Sequence, residues 1–396
     1  MMEIGQLWQE IDARAQPLSP VTAPLDAALG LVLAGEVRAA EDMPAFDRSA
    51  MDGYAVPGGD ASREFRVVAE IRAGDTPRGL PGDGCAARVF TGGPVPAGAC
   101  VVMQEDVARE GDRIRLLRAP GQEFIRKQGS DARRGDVLLA AGTRLGPGEI
   151  AVLAATGNPR PLVHPRPKVA HAVTGDEIVG AGELPSPGQV RDSNGPLIAA
   201  LLSQSGIAGS ERARWCDDPG MLSAGVLSAQ FAGADLILVS GGAGGGDHDH
   251  TRSSLEQAGF KVHCSRVNSR PGRPLLFASN GRRLAFGLPG NPLSHFVVFH
   301  LFVARALARL GGRTPPGFQR ALLDSDLPEE GGKGPTFRPC RVRLQGGTLR
   351  AVPLSWNNSG HVAALTGASG LLRAVPGKPN LSRGENVDVI LAGELS

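Results

Sequence analysis

The stretch that decides the fold is residues 234–242, ADLILVSGG, in which an aliphatic run ends in a serine and two glycines. Similar junctions occur where KVAHAV (168–173) meets TGDE (174–177) and where RRLAFGL (282–288) meets PGNP (289–292). Short apolar runs of this kind are typical of strands that are buried on both faces of a parallel sheet. Predicted helices separate them, so the pattern predicts an α/β domain whose parallel sheet is covered on both faces.

The loops after these strands form the candidate binding edge, because ligands of open α/β sheets bind at the carboxyl ends of the strands. Glycines let backbone N–H groups approach an anion, and the N-terminus of a following helix adds its positive dipole end. We therefore predict an anion site lined by Thr174, Gly175, Asp176, Ser240, Gly241, Gly242 and Gly290.

The whole chain has 396 residues, which is too long for one simple domain, so further domains are expected outside this sheet. Ile4, Leu7, Trp8 and Ile11 recur at helical spacing near the start. Short β-branched runs separated by Gly, Pro and Asp predict a β-rich region over 65–139. A proline-rich linker marks a boundary at 159–167, and the chain after 314 is again β-rich.

Charge and composition exclude several classes of protein. The chain has 42 Lys and Arg against 40 Asp and Glu, without the cationic excess that nucleic-acid binding requires. The apolar stretch from Phe296 is interrupted by His300 and Arg305, so no membrane span is predicted. The N-terminus lacks a signal-peptide layout, and the five cysteines form no C-x-x-C pair. We therefore expect a cytoplasmic protein without a disulfide framework.

Common catalytic and phosphate-binding fingerprints are missing. The reading of G-x-G-x-x-G from Gly242 and Gly244 puts Asp247 at the last glycine, and no P-loop motif occurs. The nucleophile elbow G-x-S-x-G is missing too. These results argue against a Rossmann dinucleotide site, a nucleotide-dependent kinase with a P-loop and an α/β-hydrolase.

Two polar clusters have alternative interpretations. In DHDH (247–250), the two Asp and two His could bind a transition metal, although adjacent residues rarely converge on one ion. Asp247 and Asp249 could instead help to hold Mg²⁺ against substrate phosphates, or they could belong to a solvated loop that caps a helix. In SRVNSRPGRP, Arg270 and Arg273 could bind a tetrahedral oxyanion, or they could be surface arginines. The loop DMPAFDRSAMDGYAV (42–56) resembles a presented site but could equally be a capped turn, and the other histidines are predicted to be structural or exposed.

A series of motifs follows one order over nearly the whole chain: PAFDRSAMDGYAV, TGGPVPAGACVVMQED, VTGDEIV, RDSNG, DLILVSGG with GDHDHT, RPGRP, GLPGNPLS and SGHVAALTGASGL. This series resembles the molybdopterin molybdenumtransferase family, which includes the E domain of gephyrin. SAMDGYAV and GLPGNP together are highly specific. The resemblance is thus carried by motifs from every predicted region.

The resemblance implies an elongated, multi-domain homodimer. Its expected parts are an N-terminal helical and linker module (1–46 and 141–166), a β-rich inserted domain (47–140), an α/β molybdopterin-binding domain (167–313) and a C-terminal β-barrel (314–396). It further implies that molybdate is inserted into adenylylated molybdopterin with release of AMP and a requirement for Mg²⁺. A molybdopterin adenylyltransferase and molybdoenzyme chaperones are candidate partners; nucleic acid and membranes are not.

Functional residues are carried over from the family position by position. The catalytic acidic residues fall on Asp52, Asp131, Glu177, Asp217 and Asp249. Thr91, Pro289, Pro292 and Ser359 match positions in the binding motifs. With Arg270 and Arg273 they complete the expected substrate site, and Glu177, Asp247 and Asp249 are the expected metal ligands.

The chain departs from the family at two loops. Arg270 and Arg273 stand where the family has lysines, and Arg266 similarly replaces another basic position. In the glycine-rich loop, His248 and His250 replace aromatic residues. A non-catalytic molybdopterin-binding or scaffold paralogue is therefore the alternative to an active enzyme, and molybdate and tungstate are alternative oxyanions. Retention of Asp52, Glu177 and Asp249 favours the enzyme.

Overall fold

The computed structural model describes residues 1–59, 63–80, 82–242, 250–328, 334–376 and 380–393. The chain divides into two compact units. Unit 1 consists of Met1–Thr22, Gly30–Ala34 and Leu162–Ser396, and unit 2 consists of Ala23–Leu29 and Gly35–Pro161. The fold is mixed α/β, and each unit has its own sheets.

The central sheet of unit 1 carries the loops predicted to bind substrate. Its strands are β1 (Val169–Thr174), β2 (Glu211–Trp215), β3 (Leu236–Ser240), β4 (Lys261–Arg266), β5 (Pro274–Ser279) and β6 (Leu284–Leu288), in the spatial order β2-β1-β3-β6-β5-β4. β1 pairs in parallel with β2 and β3, and β3 pairs in parallel with β6. Every residue of β1, β3 and β6 is buried, as their apolar sequences predict.

The prediction of a parallel sheet is wrong at one edge, where β5 runs antiparallel to β4 and β6. The connections at 267–273 and 280–283 are too short to cross over the sheet. A parallel connection needs a dozen or more residues, so these short turns join antiparallel strands. The sequence analysis also missed β2, whose residues ERARW carry charges and leave it mostly exposed at the other edge.

Helices cover the central sheet. They are Ile4–Arg14, Asn194–Gln204, Pro219–Leu227, Ala229–Ala232, His250–Gln257, and the helical run Pro292–Val298, Phe299–Val303 and Ala304–Leu310. The middle segment of that run is a π-helical turn, and the Leu301 carbonyl accepts a hydrogen bond of 2.7 Å from the Trp8 indole. Pro292–Leu310 is long and apolar enough to span a membrane, and most of it is buried inside the protein.

The C-terminal part of unit 1 is a closed barrel. Its strands, in barrel order, are Gln319–Leu323, Thr348–Pro353, Thr336–Gln345, Gly370–Ala374 and Asn386–Leu391. Leu323, Val342, Leu372 and Val389 are fully buried in its core. Small sheets pair Val21–Thr22 and Val32–Leu33 with Leu162–His164, and Ile178–Val179 with Val190–Arg191; the short helix Val362–Leu365 completes the unit.

Unit 2 is built around a mainly antiparallel sheet. The strands, in spatial order, are Ala99–Met103, Gly53–Pro57, Cys85–Val89, Glu64–Ile71, Arg113–Leu116 and Val107–Glu110. Smaller sheets pair Arg48–Ser49 with Ile125–Arg126 and Val37–Arg38 with Val137–Leu139, and the helices are Leu25–Ala28, Gln104–Asp106 and Pro147–Ala155.

The interpretation of 42–56 as a loop is wrong for its second half. Gly53–Pro57 is a strand in the interior of the unit 2 sheet, and four of its five residues are buried. A Cβ on Gly53 would lie 2.0 Å from the Val102 carbonyl oxygen, so glycine is required where the two strands meet. The strand begins directly after Asp52 and therefore fixes that residue at the end of a rigid element.

Candidate active site

The three loops that were predicted to bind an anion meet at one edge of the central sheet. In the strand register, Val173 pairs with Ser240, and Ser240 pairs with Leu288. The Gly241 N–H donates to the Leu288 carbonyl at 3.1 Å, and the Thr174 hydroxyl donates to the Ser240 carbonyl at 3.4 Å. The loops after β1, β3 and β6 are therefore adjacent.

Two glycines allow this close approach. Gly241 has φ of +106°, and a Cβ built on it would lie 2.5 Å from Thr174 Oγ1. Gly175 has φ of +141°, and a Cβ there would lie 2.7 Å from Glu177 Oε2. Both backbone conformations favour glycine. At Gly241 a Cβ would also lie 2.8 Å from the Thr174 carbonyl oxygen, whereas at Gly175 the nearest atoms belong to side chains of the same loop. Backbone groups thus form much of the surface at this edge.

Carboxylates surround the same edge. Asp176 and Glu177 follow β1 and are exposed. Asp176 accepts a hydrogen bond of 3.2 Å from the backbone N–H of Asp217, which lies after β2. Asp247 and Asp249 lie outside the described residues, and the description resumes at His250, the first residue of a helix. Of the predicted metal ligands, the structure thus places Glu177.

A cavity of about 760 Å³ lies beside these loops in unit 1. Six of the predicted substrate-binding residues line it: Gly242, Arg270, Arg273, Pro289, Gly290 and Ser359. Pro292 begins the helix directly after the 289–291 loop. The cavity therefore joins three parts of unit 1: connections between strands of the central sheet, the start of a helix, and the segment that follows a barrel strand.

Hydrogen bonds hold the wall of this cavity together. The Asn291 amide donates to Ser359 Oγ at 2.8 Å, and the Leu293 N–H donates to the Ser359 carbonyl at 3.1 Å. From the other side, the Asn194 amide donates to the Gly290 carbonyl at 2.7 Å. Asn194 belongs to the RDSNG motif, and this hydrogen bond helps to fix the 289–291 loop.

The two arginines give the cavity its positive charge. The Arg270 guanidinium lies 5.9 Å from the centre of the Trp356 ring, within the range of a cation–π contact. Arg273 is exposed and forms no ion pair with any described residue. Arg266 is not among the residues that line the cavity. The planar guanidinium of Arg273, which has no carboxylate partner among the described residues, is suited to a tetrahedral oxyanion.

Several residues of the cavity were missed by the sequence analysis: Ser269, Asn291, Ser294, Trp356, Asn357 and Asn358. The polar run SWNNSG (355–360) between a barrel strand and a short helix was the available signal. A connecting loop rarely combines two asparagines with a tryptophan, so this composition could have indicated a binding loop.

In unit 2, Asp52 and Thr91 form a tight pair. The backbone N–H and the hydroxyl of Thr91 each donate to Asp52 Oδ1 at 2.8 Å. These hydrogen bonds, with the nearby positive charge of Arg88, hold the pKa of the Asp52 carboxyl below its ordinary value. Asp52 is therefore a fixed, ionised carboxylate at neutral pH.

Asp131 is held in a similar way, but by a cation. The Arg126 guanidinium donates to its carboxylate and lowers the pKa of Asp131, with a further hydrogen bond from Ser130. Asp131 and Asp52 belong to unit 2, whereas Glu177 and Asp217 belong to unit 1. The predicted catalytic carboxylates thus come from both units.

Comparison with known proteins gives the same result for each region. A family model described as MoeA N-terminal region (domain I and II) matches residues 2–157, one described as probable molybdopterin binding domain matches 170–309, and one described as MoeA C-terminal region (domain IV) matches 320–392. The matches therefore extend over most of the chain.

Individual relatives agree. A molybdopterin molybdenumtransferase of Nostoc sp. is 38% identical over 320 residues, which cover 77% of this chain and 73% of the relative. One from Staphylococcus aureus strain Mu50 is 30% identical and covers 97% and 94% of the two chains. The crystal structure of a molybdopterin biosynthesis moeA protein from Pyrococcus horikosii is 29% identical, with a TM-score of 0.81 and full coverage of both chains. This chain belongs to the molybdopterin molybdenumtransferase family.

Proposed function

We propose that this protein inserts molybdate into adenylylated molybdopterin and releases AMP, a step of molybdenum cofactor biosynthesis. The observation that carries the proposal is the cavity in which Arg270, Arg273 and Ser359 lie beside the loops at the carboxyl edge of the sheet. The family membership of the chain indicates the reaction, and the cavity provides cationic and hydroxyl groups that suit its substrates. An oxyanion and an anionic cofactor precursor both need cations and hydrogen-bond donors.

Arg270 and Arg273 bind molybdate in this proposal. Their guanidinium groups offer several N–H donors each, and a bound oxyanion replaces the water that solvates them. Ser359 presents a hydroxyl whose oxygen already accepts from Asn291, so its hydrogen is available for an oxygen of the substrate. Backbone N–H groups of the glycine loops contact the adenylylated molybdopterin.

Mg²⁺ fits the exposed carboxylates at the sheet edge. Glu177 and Asp176 offer hard oxygen donors, and Mg²⁺ is usually bound by one or two carboxylates together with substrate phosphates. No cluster of three or more His, Cys, Asp or Glu side chains that could hold a metal occurs among the described residues, which do not include Asp247 and Asp249. Asp247 and Asp249 are the other proposed ligands. Bound there, the ion would neutralise charge that develops on the phosphoanhydride.

We further propose that the active enzyme is a homodimer. Asp52, fixed and ionised by Thr91, would act in a site that also uses Glu177 of the partner subunit's sheet edge. Heterodimers of Asp52→Ala and Glu177→Ala subunits would then regain part of the activity, because one of their two sites would contain both carboxylates. Lack of complementation would indicate that each site is built from one chain.

We propose a cytoplasmic location. All five cysteines, Cys85, Cys100, Cys216, Cys264 and Cys340, are free thiols, as expected in a reducing compartment. There a molybdopterin adenylyltransferase would provide the substrate, and molybdoenzyme chaperones are candidate acceptors of the product.

The direct test is to incubate the purified protein with adenylylated molybdopterin, Mg²⁺ and molybdate and to measure AMP and finished cofactor. The proposal predicts that both products form in equal amounts and that neither forms without molybdate. Tight binding of adenylylated molybdopterin without AMP release would instead identify a binding or scaffold protein. Parallel titrations with tungstate would establish which oxyanion is preferred.

A further inference from the structure

A chain of buried hydrogen bonds lies directly behind the cavity. Ser240, the last residue of β3, contacts His171 of β1 and His295 of the helix that begins at Pro292. The distances from Ser240 Oγ to His171 Nε2 and to His295 Nε2 are both 2.7 Å. His295 Nδ1 lies 3.1 Å from the Asn291 carbonyl oxygen. The side chains of His171, Ser240 and His295 are all almost completely buried.

The direction of every hydrogen bond in this chain can be deduced. Burial lowers the pKa of His171 to about 3 and that of His295 to about 4, so both rings are neutral at pH 7. The Asn291 carbonyl can only accept, so the proton of His295 is on Nδ1, and its Nε2 accepts from the Ser240 hydroxyl. Because that hydroxyl has one hydrogen, Ser240 Oγ must accept from the Nε2–H of His171.

The chain ends at the wall of the cavity. The backbone carbonyl of Asn291 accepts from His295, and the side-chain amide of the same residue donates to Ser359 Oγ. Ser240 precedes Gly241 and Gly242, and Gly242 lines the cavity. His295 therefore connects the end of β3 to the 289–291 loop, and through Asn291 to Ser359.

An apolar trio would fill the same space without the cost of burying polar groups. Buried polar groups that are hydrogen-bonded to one another favour the arrangement of the elements they join, because breaking those bonds leaves a buried donor or acceptor unsatisfied. Here the joined elements are two neighbouring strands and the loop that lines the cavity.

We propose that His171, Ser240 and His295 are positioning residues that hold the 289–291 loop and Ser359 at the spacing that the oxyanion requires. Neither the two imidazole rings nor the Ser240 hydroxyl needs to touch substrate for this role. The inference rests on the proposed function, since it assumes that the cavity binds molybdate.

The first test concerns the hydrogen-bond directions themselves. Long-range ¹H–¹⁵N correlation spectra of the histidine-labelled protein at pH 7 distinguish the two neutral tautomers from the charged ring. We expect His171 in the Nε2–H form and His295 in the Nδ1–H form, assigned with the single His→Gln variants. A charged ring at either position, or the opposite tautomer of His295, would overturn the proposal.

The second test measures molybdate binding by equilibrium dialysis with radioactive molybdate, together with KM and kcat for AMP release. His171→Leu removes the donor to Ser240, and we expect Kd and KM for molybdate to rise about fivefold to tenfold with little change in kcat. His171→Gln can still donate from its amide and should restore most of the affinity. Equal losses in both variants would contradict the assigned role.

His300 provides the matched control. It lies in the same helical run, is also buried, and packs edge-on against Phe296 and Phe299, with no hydrogen-bond partner for its Nε2 among the described residues. His300→Leu should leave molybdate binding unchanged. If it weakens binding as much as His171→Leu, the effect is general loosening of the helix and the inference fails. If the wild-type protein neither binds molybdate nor releases AMP, the proposed function itself fails.

Discussion

In the unit 2 sheet, Asp52 accepts two hydrogen bonds from Thr91, whereas at the edge of the central sheet the Glu177 carboxylate accepts none within the described residues. Asp131 resembles Asp52, because Arg126 holds its carboxylate. A carboxylate that hydrogen bonds already hold in place is a fixed negative charge. One that is exposed and unpaired keeps its lone pairs for a cation. The comparison favours, within the proposed function, cation binding at the sheet edge and an orienting charge in unit 2.

The largest expected effect follows from this assignment. Glu177→Ala should lower Mg²⁺-dependent AMP release at least about 100-fold, because a ligand to the ion that stabilises developing charge is lost. Circular dichroism should show a retained fold, since Glu177 is exposed. Asp176→Asn is the neighbouring control, and we expect a smaller loss. Near-wild-type AMP release by Glu177→Ala would remove the assignment.

The next effect concerns the cations of the cavity. Arg270→Ala or Arg273→Ala should raise the molybdate concentration at half-saturation by about 10- to 100-fold, since a hydrogen bond to a charged group contributes about 1.5–3 kcal/mol. Lysine at both positions keeps the charge but replaces planar forks with single ammonium groups, so the change should be smaller. Arg266→Ala, outside the cavity, is the control. Unchanged half-saturation in all variants would mean that these arginines are ordinary surface residues.

A smaller effect, on stability, tests the close approach of the loops. Gly241→Ala places a methyl group against Thr174 at a positive φ and should lower the free energy of unfolding by about 3 kcal/mol. Gly259 has φ of +81° with open space around its Cβ position, so Gly259→Ala should cost about 1–2 kcal/mol. Urea denaturation measures both. Equal losses would show that the contact with Thr174 adds nothing to the backbone strain.

The smallest effect is a shift in pH dependence. Thr91→Ala removes the hydroxyl donor to Asp52, so the lowered pKa of that carboxyl should rise toward its ordinary value. The acid limb of the pH–rate profile should then move to higher pH, because Asp52 becomes protonated earlier as the pH falls. Thr91→Ser keeps the hydroxyl and should retain the original profile. An unchanged acid limb in Thr91→Ala would separate Asp52 from the reaction.

Much of the binding edge was predictable because it follows from local sequence. The runs before TGDE, SGG and PGNP are apolar enough to identify buried strands, and the carboxyl ends of parallel neighbours must lie together. The antiparallel direction of β5 was harder to predict from the sequence, since it depends on the short turns at 267–273 and 280–283. Gly53–Pro57 was missed because its motif resembled a loop.

The remainder depends on contacts between distant parts of the chain. His171, Ser240 and His295 are separated by 69 and 55 residues along the sequence, and no local pattern indicates that their side chains meet. Trp356 reaches the cavity from the segment after a barrel strand. Such pairings are set by tertiary packing.

The most direct measurement of the central claim is to locate molybdate, or tungstate as a stronger scatterer, by anomalous diffraction from soaked crystals. The proposed function predicts an oxyanion in the 760 Å³ cavity, within hydrogen-bond distance of Arg270, Arg273 and Ser359. In a crystal of Arg270→Ala that site should lose occupancy at the same concentration. An oxyanion bound elsewhere in catalytically active crystals, with the cavity filled only by water, would contradict the account.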